Sequence, residues 1–178
     1  MRKFLETFII ILIPLLGFGQ LKHRTEIVLL MGSRFEITPY AETDSIVEFA
    51  IQSSIKEVKR IESIISEWIP ESEISTVNDN AGIKPVKVSK ELFDIVKRSL
   101  KVSQLTDGAF DISWAAARNV WHFDKTMTRL PDSATITALK PLINYKNIIL
   151  NDSLSTIFLK EKGMAIGLGA MGKGYAAN

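Results

Sequence analysis

The densest group of residues that could do chemistry lies near the end of the 178-residue chain, in the run Gly167-Leu168-Gly169-Ala170-Met171-Gly172-Lys173-Gly174-Tyr175. Glycines let backbone N–H groups come close to an anion, and Lys173 adds a positive charge for a phosphate. An apolar strand is expected just before this run, at residues 164–168, and a helix is expected to start at Tyr175. The N-terminus of that helix would favour a bound phosphate.

Two nucleotide-binding patterns also match this run. Gly167, Gly169 and Gly172 satisfy the dinucleotide fingerprint G-x-G-x-x-G, but that motif needs a βαβ unit of ~30 residues with an acidic residue further on. Residues 167–173 satisfy the phosphate loop G-x-x-x-x-G-K, but Gly174 stands where a Ser or Thr hydroxyl holds Mg²⁺. A strand-to-helix turn with glycines for close packing is the structural alternative.

A second segment, Thr106-Asp107-Gly108-Ala109-Phe110-Asp111-Ile112, could bind a nucleotide. Asp107-Gly108 predicts a tight turn, and Asp111 is expected near the start of a strand. Its carboxylate can accept hydrogen bonds from ribose hydroxyls or an adenine amine, while the backbone of Ala109 and Phe110 lines the same pocket. From the residues alone, a turn in which Asp111 caps backbone N–H groups is equally expected.

The elements that must position these segments predict an α+β protein with a mixed or antiparallel sheet and packed helices. Strands are expected at residues 26–31, 35–40, 85–88, 148–150 and 156–159; the first two form a hairpin around Gly32 and the last two pair across Asn151-Asp152.

Helices are expected where apolar residues recur at steps of three and four. The long one starts at a capping box of Ser45 and Glu48, carries Trp68 on its apolar face and stops at Pro70. Shorter helices are expected near residues 74–77, from the cap residue Ser89 to the break at 106–108, and from residues 131–133 to 139.

Composition excludes several classes of function. With 46% hydrophobic and 24% charged residues, the chain folds around a core. The formal net charge is +2 and the basic residues are scattered, so no nucleic-acid partner is expected. The absence of cysteine from the sequence excludes disulfide frameworks, Fe–S clusters and thiol nucleophiles.

The first nineteen residues have the pattern of a signal peptide. Arg2 and Lys3 form a basic start, residues 8–18 are an apolar run of eleven, and Gly17-Phe18-Gly19 is a plausible cleavage site. The run is shorter than the ~20 residues of a spanning helix. We expect export, with Gln20 as the first mature residue and an uncleaved anchor as the alternative.

Four segments occur in a fixed order along the chain. They are Met31-Gly32-Ser33-Arg34-Phe35 and the runs 66–78 (SEWIPESEISTVN), 106–112 (TDGAFDI) and 166–176 (IGLGAMGKGYA). Together they resemble the FAD:protein FMN transferase (ApbE) family, from about Thr25 to Asn178. The resemblance implies an ApbE-like flavin transferase domain, of which residues 20–178 would be the N-terminal portion, ending inside the helix that starts at Tyr175.

The resemblance implies a transferase. With Mg²⁺ bound, a threonine hydroxyl of a target protein attacks the FMN phosphate of FAD, and AMP leaves. The family's targets are membrane-bound electron-transfer subunits and secreted flavoproteins, so a periplasmic location, at or near the outer face of the inner membrane, is implied. An FAD-binding remnant or scaffold without transfer is the alternative, because the second half of the family's domain would be missing.

The resemblance also implies roles for individual residues and assigns no catalytic residue. The residues implied to contact FAD are Met31, Trp68, Ala109, Phe110, Asp111 and Lys173. The backbone carbonyl of Ala170 is implied to bind Mg²⁺. Met31 would pack on a flavin or adenine ring, Trp68 would stack on FAD, and Lys173 would meet the diphosphate. A core role is the alternative for Met31, at a strand end, and for Trp68. Gly167 stands where the family favours aspartate.

Overall fold

The computed structural model describes residues 20–121 and 129–178, so the predicted signal peptide at residues 1–19 lies outside the described residues. The chain divides into two compact units, Met1–Glu57 and Val58–Asn178. Helices occur together with antiparallel sheets, which confirms the predicted α+β class. Within the described residues, no helix is both long enough and apolar enough to cross a membrane.

The first unit contains short antiparallel strand pairs. Its strands are β1 (Lys22–His23), β2 (Glu26–Leu30), β3 (Ser33–Ile37) and β4 (Tyr40–Ala41), with β2 paired to β3 and β1 paired to β4. Met31 and Gly32 form the β2–β3 turn with φ of 49° and 66°. Two positive φ values in a two-residue loop give a turn that matches the twist of the strands. The predicted hairpin is confirmed, but Met31 lies in the turn and not at the end of a buried strand.

Helix α1 (Asp44–Ile65) begins differently from the prediction. The hydroxyl of Thr43 accepts a 3.4 Å hydrogen bond from a first-turn N–H. The carboxylate of Glu48 accepts a 2.5 Å hydrogen bond from Arg24. The predicted capping box of Ser45 and Glu48 is therefore wrong, because the cap lies two residues earlier and Glu48 bonds to another side chain.

The second unit holds most of the helices and one sheet. In chain order its elements, after the end of α1, are α2 (Glu73–Asp79), β5 (Val86–Lys87), α3 (Lys90–Leu105), a 3₁₀ segment (Ile112–Ala117), α4 (Ser133–Leu139), two more 3₁₀ turns (Lys140–Leu142 and Tyr145–Asn147), β6 (Ile148–Asn151), β7 (Thr156–Leu159) and α5 (Gly169–Ala176). The strands β5, β7 and β6 lie side by side in that order, all antiparallel. The predicted strand pair across Asn151-Asp152 is confirmed.

The core of the second unit combines the apolar faces of α2 and α3 with residues of β7, the 3₁₀ segment and the segment before α5. Fully buried members include Ile74, Val77, Leu92, Val96, Ile112, Ile157, Leu159, Ile166 and Leu168. Burying one such side chain contributes ~1.5 to 3 kcal/mol. Ser89 caps α3 as predicted, since its hydroxyl accepts a hydrogen bond from the N–H of Leu92 at 3.2 Å.

Two predictions near the end of the chain are wrong. Residues 164–168 are buried, but they belong to no strand. Helix α5 begins at Gly169 and not at Tyr175, so the glycine run forms helical turns and not a loop. Gly172 is buried within this helix, which shows that part of the run serves close packing.

The turn at Met31 generates a stability prediction. A non-glycine residue with left-handed dihedrals costs ~1 to 2 kcal/mol, and an Asn-Gly pair is the preferred two-residue hairpin turn. We expect Met31→Asn to raise the free energy of unfolding by about 1 kcal/mol, measured by urea denaturation. Met31→Leu is the matched control and should give no gain. Equal stability of the two variants would contradict a strained turn.

Candidate functional site

Buried serines fix the loop that carries Trp68. The hydroxyl of Ser72 donates to the carbonyl of Ser66 at 2.8 Å and accepts from the N–H of Ser75 at 3.1 Å. The hydroxyl of Ser75 donates to the carbonyl of Ile69 at 2.8 Å. Because these bonds hold the chain in a loop after α1, the prediction that Trp68 lies on the apolar face of that helix is wrong. The indole is 70% exposed and free to meet a ligand.

A buried asparagine links the end of α2 to the segment before α5. The side-chain amide of Asn78 donates to the carbonyl of Ile166 at 3.0 Å, and the N–H of Ile166 donates to Asn78 Oδ1 at 2.8 Å. An amide group presents the same donor and acceptor as the peptide group of a neighbouring strand. Ile166 can therefore be buried without a strand partner, because a side chain satisfies its N–H and carbonyl groups.

The next residue, Gly167, has contacts with two further segments. Its N–H donates to the carbonyl of Ile112 at 2.9 Å. A β-carbon placed on Gly167 would lie 2.8 Å from Oε1 of Glu67 and 3.1 Å from the β-carbon of Ala115. We call residues 166 and 167 with these contacts the 166–167 junction. In the second unit, the junction brings together the runs 66–78, 106–112 and 166–176.

The run 106–112 forms a turn and a cap. Asp107 and Gly108 have φ of 50° and 82°, which confirms the predicted tight turn. Asp111 caps the 3₁₀ segment and does not begin a strand: its carboxylate accepts from the N–H and hydroxyl of Ser113, at 2.8 and 2.6 Å, and from the N–H of Tyr145 at 2.9 Å. A carboxylate has about four acceptor positions, of which these bonds use three. Ala109, next to this turn, is exposed.

Helix α5 leads away from the junction and carries the other predicted contacts. Ala170 and Lys173 are exposed, in its first and second turns. The first N–H groups of a helix lack intrahelical partners and attract anions, so the predicted phosphate would lie at the start of α5. Both nucleotide-binding alternatives require a strand before the glycines, and residues 164–168 form none.

The far end of α5 is tied to α3. The hydroxyl of Tyr175 donates to Glu91 Oε1 at 2.9 Å, and Arg60 donates to both carboxylate oxygens of Glu91, at 2.7 and 2.9 Å. The bonds from Arg60 lower the pKa of the Glu91 carboxyl below its usual value. Burial, together with Glu91, raises the pKa of the Tyr175 hydroxyl. Tyr175 therefore remains a donor, and Glu91 an ionised acceptor, at neutral pH.

Among the described residues, no cluster of acidic or histidine side chains accompanies the magnesium contact predicted at Ala170. Within residues 20–121 and 129–178, no cluster of three or more His, Asp or Glu side chains could hold a metal ion. The carbonyl of Ala170 is a single oxygen in a helical turn, whereas Mg²⁺ takes six oxygen ligands in near-octahedral geometry. The metal role of Ala170 stays a prediction.

The sequence predicts no role for Ser72, Asn78 or Glu91. Ser72 had a local signal, because a serine before a short helix is a preferred N-cap. The partners of Asn78 and Glu91 lie 88 and 84 residues away along the chain. Local spacing contains no signal for such pairs.

Comparison with known proteins identifies the group to which this arrangement belongs. The sequence model of the ApbE family matches residues 31–178, which includes all four of the ordered segments. The chain belongs to the ApbE family. The resemblance predicted from the four segments is confirmed.

Relatives and solved structures agree with this assignment. A FAD:protein FMN transferase of Klebsiella pneumoniae (strain 342) is 29% identical over 149 residues, covering 84% of this chain and 46% of that protein. The ApbE protein of Thermotoga maritima matches with a TM-score of 0.78 at 23% identity, over 87% of this chain and 50% of that one. The flavin transferase ApbE of Vibrio cholerae matches with a TM-score of 0.78 at 18% identity, over 88% of this chain and 51% of that one. The chain thus spans about half the length of these ApbE proteins.

The link between Asn78 and Ile166 generates a second prediction. Asn78→Ala leaves the N–H and carbonyl of Ile166 buried and unpaired, at ~1 to 3 kcal/mol for each group. We expect the free energy of unfolding to fall by about 2 to 6 kcal/mol in urea denaturation. Asn80→Ala is the matched control, since Asn80 makes an exposed bond to Thr76. A loss for Asn78→Ala no greater than for Asn80→Ala would refute the structural role of the link.

Proposed function

We propose that this protein is a FAD:protein FMN transferase. A threonine hydroxyl of a target protein attacks the FMN phosphorus of FAD; the new bond joins the threonine oxygen to phosphorus, the bond to AMP breaks, and the hydroxyl proton is released. The observation that carries the proposal is the junction, where the runs 66–78, 106–112 and 166–176 of the ApbE match meet at the start of a glycine-rich helix. Support at family level comes from relatives that are named for this reaction.

The described residues offer FAD suitable groups, of which Trp68, Ala109 and Lys173 are exposed while Phe110 and Asp111 are half-buried. Lys173 would neutralise the diphosphate, and the first N–H groups of α5 would bind its oxygens. Trp68, on its fixed loop, would stack on a ring of FAD. Asp111 would use its remaining acceptor position for ribose or adenine, beside the backbone of Ala109 and Phe110. The contact that the resemblance implies for Met31, which lies in the hairpin turn of the first unit, stays a prediction.

The metal, the location and the partner belong to the same proposal. Phosphoryl transfer proceeds by positioning and by neutralising charge, which is the chemistry that bound Mg²⁺ supplies. Ala170 would offer one carbonyl ligand to the ion. Export through the segment 1–19, with Gln20 as the first mature residue, would place the protein in the periplasm, where membrane-bound electron-transfer subunits or secreted flavoproteins would provide the acceptor threonine.

The experiment that tests the proposal separates binding from transfer. The purified protein is incubated with FAD, Mg²⁺ and a threonine-bearing acceptor protein; in-gel flavin fluorescence detects transfer, and chromatography measures AMP. We expect fluorescent acceptor and equimolar AMP, both lost on chelation of the metal. FAD binding without either product would support an FAD-binding scaffold, and absence of FAD binding would overturn the flavin assignment.

Lys173 provides the residue-level prediction. If its ammonium meets the diphosphate, Lys173→Ala removes a charge-assisted interaction of ~1.5 to 3 kcal/mol and should weaken FAD binding by roughly tenfold or more. Riboflavin, which has no phosphate, should bind as before. Lys160→Ala, another exposed lysine of the same unit, is the control. Titrations that quench flavin fluorescence measure both ligands, and an equal loss for FAD and riboflavin would exclude the diphosphate contact.

A further inference from the structure

The side chain of Glu67 occupies the space where residue 167 would carry a side chain. Its Oε1 lies 2.8 Å from the position of a β-carbon on Gly167, closer than real β-carbons approach other atoms. Glu67 is half-buried. Residue 167 can therefore be larger than glycine only if the Glu67 carboxylate moves away.

The loop that carries Glu67 is not free to move. Immediately before Glu67, the carbonyl of Ser66 accepts from the buried hydroxyl of Ser72 at 2.8 Å. Two residues after Glu67, the carbonyl of Ile69 accepts from the hydroxyl of Ser75 at 2.8 Å. The backbone is thus held on both sides of Glu67, and the carboxylate lies beside Gly167 of the 166–167 junction.

The start of α5 needs support from outside the helix. Glycines fill positions 169, 172 and 174 of this eight-residue helix, and glycine is a poor helix former. Its N-cap residue, Leu168, makes no side-chain capping bond. A negative charge near a helix N-terminus is stabilising, and the carboxylate of Glu67 lies beside Gly167, two residues before α5 begins.

We propose that Glu67 is a positioning residue for the flavin site. Its carboxylate stabilises the first turn of α5 and so fixes the backbone that carries Lys173. Gly167, which has no side chain, leaves room for this carboxylate. The inference rests on the proposed function, because it concerns the placement of Lys173 against the FAD diphosphate. The two residues act as a unit, so a carboxylate is required at this place but can be supplied from either position.

Exchanging the carboxylate between the two positions tests the proposal. Affinities for FAD and riboflavin and the ligand-free thermal midpoint are measured for Glu67→Gln, Gly167→Asp and the double variant Glu67→Ser/Gly167→Asp. We expect Glu67→Gln to weaken FAD binding about two- to fivefold, with riboflavin unchanged, because the loss of the charge that stabilises the first turn of α5 outweighs the relief of its repulsion of the diphosphate. Gly167→Asp alone should weaken FAD and lower the midpoint, since two carboxylates then compete for one space.

The double variant decides the proposal. It should bind FAD within about twofold of the unmodified protein, because one carboxylate again lies at the start of α5. Glu71→Gln, an exposed glutamate of the same loop, is the matched control and should change nothing. The proposal would be overturned if the double variant lost as much FAD affinity as the separate changes at positions 67 and 167 together. Unchanged or tighter FAD binding by Glu67→Gln would also overturn it.

A separate measurement distinguishes the failure of this inference from that of the proposed function. If the unmodified protein binds no FAD, the flavin assignment falls, and the positioning role falls with it. The ligand-free midpoints still report whether Glu67 supports α5, since recovery of the midpoint in the double variant does not depend on FAD. If the unmodified protein binds FAD but the thermal midpoint of the double variant falls by the sum of the two separate losses, Glu67 has no positioning role and the proposed function stands.

Discussion

The hydrogen bonds between the side chain of Asn78 and the backbone of Ile166 are the interaction on which the second unit depends. Both partners are buried, so each bond replaces contacts that water would otherwise supply. Residues 164–168 pass through the core without a strand neighbour because this one amide acts as the neighbour. The start of α5 is placed directly by that segment, and the residues proposed to meet FAD follow from it.

Other contacts around the junction make the arrangement a connected set. Ser72 and Ser75 fix the loop of Trp68, and the same loop directs Glu67 at Gly167. The carbonyl of Ile112 holds the N–H of Gly167, which ties the Asp111 turn to the same point. Segments that are far apart in the sequence therefore share one anchoring point. Polar groups in such a set are mutually dependent, because each buried donor needs its own acceptor.

Local sequence signals predicted much of the fold. The strand pair 148–151 and 156–159, the cap at Ser89 and the hairpin at Gly32 were predictable, because turn residues and periodicity act over a few positions. The strand predicted at 164–168 was wrong because a short apolar run indicates burial, and a buried segment outside any sheet has the same pattern as a buried strand. The start of α5 was placed six residues late because glycines are poor helix formers, while packing of Gly172 outweighs that preference.

The candidate site was predictable at the level of segments but not of contacts. The order of the four runs identified the family, which the comparisons confirm. The roles of Asn78, Glu67 and Glu91 depend on partners distant in sequence, and spacing along a single chain does not contain that information.

The central claim is that FAD binds at the start of α5, beside the 166–167 junction. A backbone NMR titration of the protein with FAD tests it most directly. The account predicts shifts for the amides of Gly169 and Ala170 and for the indole N–H of Trp68, with the α5 shifts absent when riboflavin replaces FAD. Saturable FAD binding that leaves the amides of α5 unshifted would contradict it.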